Sequence, residues 1–150
     1  MCRIEAYIKK ELVHCKVPIK TKDGLFRYLS DIVEEVAGVS SEKVLESIQE
    51  RESFGSTGIG HGVAIPHGRI PGCREVVIHV LTLSGKIPYG SIDGEGVSLV
   101  FMLAVPEGNN LLYLKLLSRI SIICNDSSIR DMLINAKSQE EMIRIIKEVP

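Results

Sequence analysis

The sequence predicts a mixed α/β domain, a sheet of about five strands flanked by helices on both faces. Three observations carry this. The run Val97 to Val105, VSLVFMLAV, is apolar at both sets of alternating positions, as a strand covered on both sides must be. Two helical patterns precede the strand-rich middle of the chain and three follow it, which puts helices in excess of what one face needs. With 150 residues, 45% of them hydrophobic, the chain can bury one sizeable core, and no repeat or linker divides it. Residues 1–150 therefore read as a single domain.

In chain order, MCRIEAYIKKELVHCK has no apolar core behind its basic residues and no small-residue cleavage pattern, so it is not a secretory signal and a cytoplasmic location is expected. Thr21 to Ala37 sets Leu25, Leu29, Ile32, Val33 and Val36 at helical spacing, with Thr21 placed to cap the start and Gly38 following the end. Ser40 or Ser41 opens a second helix whose stripe is Val44, Leu45 and Ile48 and whose last turn is Glu50, Arg51 and Glu52. Val63-Ala64-Ile65 is a short strand stopped by Pro66, and Glu75 to Leu83 is a longer one. A turn-rich segment, Ser84 to Gly96, leads into VSLVFMLAV. After Pro106-Glu107-Gly108 the helical runs LLYLKLLSRISIIC, SSIRDMLINA and SQEEMIRIIKEV follow, with Ser127 or Ser128 and Ser138 as N-caps and Ser138 to Glu141 fitting a capping box.

Composition narrows the function classes. The formal net charge is −1, from 18 basic and 19 acidic residues, and no run of like charge forms a nucleic-acid footprint. The longest apolar tract falls well short of the roughly 20 residues of a membrane-spanning helix, so no membrane insertion is expected. Cys2, Cys15, Cys73 and Cys124 are scattered without a C-x-x-C pair, which reads as reduced structural thiols. A zinc site drawn from His14, Cys15 and His79 has no supporting ligand spacing, so no metal is called.

The chemistry-bearing stretch is GSTGIGHGVAIPHGR, residues 55–69. Its glycines are spaced G-x-G-x-G after a helix, not G-x-G-x-x-G after a strand, and no Gly-Lys-Ser/Thr follows, so a bound nucleotide is not expected. What remains is a backbone open to close approach at Gly58 and Gly68, hydroxyls on Ser56 and Thr57, and two histidines, His61 and His67. Pro66 stiffens the chain just before His67, and Arg51 and Arg69 offer guanidinium forks that suit phosphate oxygens. An imidazole that titrates near neutrality can accept a phosphoryl group on nitrogen and pass it on. The alternative for His67 is a turn histidine satisfied by a backbone carbonyl.

Taken together, RESFGSTGIGHGVAIPHGR resembles the active-site signature of the type-2 enzyme IIA domains of the bacterial phosphoenolpyruvate-dependent phosphotransferase system, the fructose, mannitol and nitrogen-regulatory group. The resemblance spans nearly the whole chain, including VPEGNNLLYLKLLSRI. It implies a phosphocarrier without cofactor, with His67 as the histidine phosphorylated by the small carrier protein HPr or its nitrogen-branch counterpart, and Arg51 as an arginine that helps hold the phosphoryl group. The acceptor it implies is a IIB domain or a regulatory target such as a transporter or sensor kinase. Thr57, Gly58, His61, Gly68 and Arg69 are expected to border the site, and Phe54, Ile59 and Ile70 are either a docking surface or core.

The sequence departs from the family at one position. Type-2 domains usually carry a second histidine at the start of the helix after the Val-Pro, and Tyr113 stands there. Its hydroxyl either donates a hydrogen bond to phosphate, without becoming cationic, or Tyr113 is a packed aromatic sharing a helix face with Leu117 and Ile120. His61 is separated from His67 by about 20 Å of extended chain, so it reads as a rim residue unless the chain folds back through Gly62. The chain ends at Pro150 without a IIB-like segment, which favours a nitrogen-regulatory IIA. A IIA subunit of a split sugar permease, and a degenerate module that binds partners without transferring phosphate, are the alternatives.

Overall fold

In the computed structural model of the protein, which describes residues 3–150, the tract Val97 to Val105 lies in β6 (Val97–Pro106) and is buried along its whole length. Val100, Met102 and Ala104 enter one apolar cluster, while Leu99, Phe101, Leu103 and Val105 enter another on the opposite face. Burying a side chain of this size contributes about 1.5–3 kcal/mol, so β6 ties both layers of the domain together.

The sheet has six strands, one more than the pattern suggests. β5 (Val77–Ile87) pairs antiparallel with β6, and β1 (Val13–Val17) lies parallel on the far side of β5. Along the other edge of β6 run β3 (Val63–Ala64) and β4 (His67–Ile70), both parallel to it, with β2 (Gly58–Gly60) turned back on β3 as a hairpin. β5 starts two residues later than expected and runs through Ser84-Gly85-Lys86 to pair Ile87 with Val97.

β3 and β4 are one line of chain interrupted at Ile65-Pro66. Pro66 has no N–H for the ladder, yet its carbonyl accepts from Leu103 N at 3.0 Å, and pairing resumes with His67 opposite Leu103. His67 is therefore the first residue of a strand rather than part of a turn.

Helices cover both faces, as expected. α1 (Lys22–Ala37) and α2 (Ser41–Ser53) bury Leu25, Leu29, Val33, Val44 and Ile48 against one side. α3 (Asn110–Asn125), α4 (Ser127–Asn135) and α5 (Gln139–Lys147) bury Leu116, Ile120, Leu133, Met142 and Ile146 against the other. Thr21 caps α1 by accepting from Gly24 N at 3.0 Å, and Ser138 caps α5 by accepting from Glu141 N at 3.1 Å. The capping box is displaced by one residue, because Glu141 reaches back to Lys137 N. At α4 the cap is Asp126, which accepts from Ile129 N, rather than Ser127 or Ser128. At α2 the serines make no side-chain cap, and Glu34 of α1 accepts from Ser41 N instead. No described helix is long and apolar enough to cross a membrane.

His14 and His79 meet across β1 and β5, with His14 Nδ1 2.8 Å from His79 Nε2. Cys15, next along the strand, instead donates from Sγ to Ala136 O, so the strand's alternation divides the three residues between opposite faces. Among the described residues no three His, Cys, Asp or Glu side chains gather as a metal site. Cys15, Cys73 and Cys124 are free thiols, and Cys2 lies outside the described residues.

Candidate functional site

His67 emerges where β4 begins, with both ring nitrogens engaged by groups of different kinds. Nδ1 lies 2.7 Å from the carbonyl oxygen of Ile65, and Nε2 lies 3.2 Å from Nε of Arg51. A carbonyl only accepts and a guanidinium only donates. The proton must therefore sit on Nδ1, leaving the Nε2 lone pair facing Arg51. The two readings of His67 are thus compatible: the backbone carbonyl satisfies one nitrogen and leaves the other without a proton.

Burial holds the His67 pKa below its ordinary value; the Ile65 carbonyl opposes it less strongly, and the smaller effects of the Arg51 charge, which lowers it, and of Glu52, which raises it, follow. The imidazole is consequently neutral at neutral pH, which is the form that can attack phosphorus.

Arg51 is delivered by the last turn of α2 and is anchored by a second bond, from NH1 to Gly55 O at 2.9 Å. Beside it opens a cleft of about 580 Å³ lined by Arg51, Phe54, Gly68, Arg69, Glu107 and Tyr113, among others. Arg69 donates to Asn110 Oδ1 at the start of α3, and its guanidinium carbon lies 5.6 Å from the Tyr113 ring centroid. The Tyr113 and His67 ring centroids are 5.8 Å apart. Tyr113, where the resemblance implies a second histidine, is therefore brought next to His67, and this half-buried tyrosine carries a fixed cation, Arg69, over its ring.

The other expected border residues divide. Thr57 is buried; its hydroxyl lies 2.6 Å from Glu52 Oε1 and 2.7 Å from Tyr89 OH, so it is committed to the loop's interior. Gly58 is required by packing, since a Cβ there would fall 2.2 Å from Ser91 Oγ and 2.9 Å from Tyr89 Cδ1. Gly58→Ala is accordingly expected to destabilise the protein by about 1–3 kcal/mol, read as a lower urea midpoint; an unchanged midpoint would contradict this packing. Gly68 borders the cleft, but its open side faces Ser47 of α2, where a Cβ would come within 3.4 Å.

The chain does fold back through Gly62 (φ 80°), yet the fold-back does not bring His61 to His67. In the β2–β3 hairpin Gly58 pairs with Ala64, and Thr57 O accepts from Ile65 N. His61 occupies the exposed hairpin turn in a left-handed conformation (φ 58°), its N–H held by Asp93 Oδ2. Of the three apolar residues, Phe54 is 81% exposed at the cleft and Ile59 is exposed, whereas Ile70 is core.

Sequence reasoning missed Glu52, Tyr89 and Asn110. Glu52 was readable only as the end of a helix, and nothing local announces that Tyr89 and Asn110 approach the loop from 32 and 41 residues away.

Comparison with known proteins finds relatives along nearly the whole chain. Residues 6–149 match the family described as phosphoenolpyruvate-dependent sugar phosphotransferase system, EIIA 2. The nitrogen regulatory protein of Pseudomonas aeruginosa is 31% identical over 150 residues, covering 99% of this chain and 97% of that protein. The fructose-specific EIIABC component of Bacillus subtilis is 31% identical over 147 residues, 97% of this chain and 23% of that protein. Among solved structures, the nitrogen regulatory protein IIA-Ntr from Neisseria meningitidis superposes with a TM-score of 0.90 at 31% identity, covering 95% of this chain and 98% of that one. The complex of enzyme IIAMTL with phosphorylated enzyme IIBMTL from Escherichia coli matches with a TM-score of 0.79 at 16% identity, covering 95% and 98%, a likeness of fold.

Proposed function

Since the chain belongs to the EIIA type-2 family of the phosphoenolpyruvate-dependent sugar phosphotransferase system, we propose that it is a phosphocarrier that takes a phosphoryl group on Nε2 of His67 from an HPr-type protein. The observation that carries this reading is the pair of contacts on the His67 ring, Ile65 O on Nδ1 and Arg51 on Nε2. The Nε2 lone pair attacks the phosphorus of the donor's phosphoimidazole, a new N–P bond forms, and the donor's N–P bond breaks with its electron pair returning to the leaving ring. The proton stays on Nδ1, which keeps donating to the Ile65 carbonyl. Arg51 Nε, which faces the attacking nitrogen at rest, moves onto an equatorial phosphoryl oxygen, and Arg69 adds a second positive charge nearby.

In this reading Tyr113 donates its hydroxyl to the phosphoryl group while Arg69 supplies the charge that a histidine would bring. Tyr113→Phe is then expected to slow transfer by about threefold to tenfold, the value of one hydrogen bond; an unchanged rate would make Tyr113 a packing residue.

We favour a nitrogen-regulatory role over a sugar-permease IIA, because the IIA-Ntr structure superposes with a TM-score of 0.90 at 31% identity and the mannitol enzyme IIA with 0.79 at 16%. The acceptor is then a regulatory target such as a transporter or sensor kinase; for a permease IIA it would be a IIB domain. The test is incubation with phosphoenolpyruvate, enzyme I and an HPr-type carrier, followed by intact mass. The wild type should gain one acid-labile phosphoryl group and His67→Ala none. An unlabelled wild type would leave a partner-binding module without transfer, and label on His67→Ala would assign another residue.

A further inference from the structure

The carboxylate of Glu52 lies behind the site, only 10% exposed, and is the centre of a hydrogen-bonded cluster. Its Oε2 accepts from Lys22 Nζ and from Thr57 N, both at 2.9 Å, and its Oε1 accepts from the Thr57 hydroxyl at 2.6 Å. Lys22 is itself fixed by the Tyr89 carbonyl at 2.9 Å, and its ammonium lies 4.3 Å from the Tyr89 ring centroid. Burial alone would raise the Glu52 pKa, but the bonds from Thr57 and Lys22 outweigh it and hold the carboxyl below its usual range, so the group is ionised.

Both contacts on the His67 ring trace back to this cluster. Thr57 O accepts from Ile65 N at 2.9 Å, and the carbonyl of that same Ile65 accepts the hydrogen bond from His67 Nδ1. Arg51, adjacent to Glu52 in the last turn of α2, is tied by NH1 to Gly55 O, two residues before Thr57. We propose that Glu52 is a positioning residue for phosphoryl transfer: by gripping Thr57 at its N–H and hydroxyl it fixes the 55–57 loop, and the loop fixes the His67 tautomer with the lone pair on Nε2. The inference rests on the assignment of His67 as the phosphoryl acceptor.

The geometry separates hydrogen bonding from charge. In Glu52→Gln the amide oxygen can take the place of Oε2, accepting from Lys22 and Thr57 N. The amide nitrogen can then donate to Thr57 Oγ1, whose hydroxyl turns to Tyr89. Glutamine should therefore restore what alanine loses.

The experiment measures two quantities on wild type, Glu52→Ala, Glu52→Gln and Thr57→Val, each as the full chain. Ring nitrogen shifts of His67 by ¹⁵N NMR report the tautomer in the free protein. Rapid quenching against a phosphorylated HPr-type carrier, over a range of carrier concentrations, reports the maximal transfer rate and the half-saturating concentration. Glu52→Ala should populate the Nε2–H tautomer and lower the maximal rate about tenfold to a hundredfold, the scale of a misplaced reacting group, with half-saturation unchanged. Thr57→Val should lie between it and wild type, and Glu52→Gln should stay near wild type. If Glu52→Ala does not fold, Thr57→Val carries the test with the same readouts. An unaltered tautomer in Glu52→Ala or Thr57→Val would overturn the proposal, as would a loss confined to half-saturation, or a glutamine variant as impaired as alanine. A wild type that takes no phosphoryl group would refute the function assigned to His67, while the tautomer comparison would still decide the role of Glu52.

Discussion

Arg51→Ala is expected to slow phosphoryl uptake by about two to three orders of magnitude, the usual cost of removing one preorganised donor from a developing anionic centre. Arg51 is the donor nearest the reacting nitrogen, at 3.2 Å from His67 Nε2, and its guanidinium has a second anchor on Gly55 O. It can thus follow the charge from the lone pair to the phosphoryl oxygens without leaving the loop. Arg51→Lys keeps a charge but loses the planar fork, and should recover only part of the rate. The pH profile should move as well. The Arg51 charge helps to depress the His67 pKa, so without it the imidazole protonates at higher pH, and because only the neutral ring attacks, the acid limb of the rate profile shifts upward. Single-turnover transfer from a phosphorylated carrier, measured against pH, reads both effects. A variant as fast as wild type would remove Arg51 from the mechanism.

The second large effect is acid lability that originates away from the cleft. His79 has no solvent exposure, its Nδ1 has no hydrogen-bond partner among the described residues, and burial together with the nearby His14 pushes its pKa from 6.5 to about 3. Above pH 6.5 the residue is neutral whether the chain is folded or not, and it contributes nothing to the pH dependence. Below 6.5 the unfolded chain takes up a proton that the folded one refuses, so stability falls with falling pH, by up to about 1.4 kcal/mol per unit. The loss from His79 alone reaches about 2 kcal/mol near pH 5 by the same relation. His14 and His67 are depressed by burial too and act in the same direction. Urea unfolding between pH 7 and 4.5 should show this slope in the wild type and a shallower one in His79→Leu. Parallel curves would contradict it.

The parts of the fold legible in the sequence were those that repeat a period. β6 has to be buried on both faces because after Ser98 no polar position interrupts it before Pro106, and the amphipathic spacing of α1 and α5 determines their inward faces. The strands that build the site have no period to show. β2 and β4 contain Gly58, Gly60 and Gly68, and β1 is broken at Lys16, whose φ is 54°. Their pairing is imposed by neighbours distant in sequence, above all Leu103 to Pro106 of β6.

The site divides along the same line. His67, Arg51 and Arg69 were readable because the chemistry of phosphate selects those residue types, and Tyr113 because a family motif marks its position. Thr57 and Gly58 were read as facing a ligand, yet Thr57 is held by Glu52 at the end of α2, and both meet Tyr89 or Ser91, contacts that depend on how the loop 88–96 returns over the hairpin. Which nitrogen of His67 is free also lay beyond the sequence, since it depends on the Ile65 carbonyl and the Arg51 guanidinium meeting one ring from opposite sides.

The most direct test of the account is a ¹⁵N-edited NMR spectrum of the protein after phosphorylation through an HPr-type carrier. Phosphorus coupled to Nε2 of His67, with the proton retained on Nδ1, is the predicted result. Phosphorus on Nδ1, on His61, or on no histidine would contradict it.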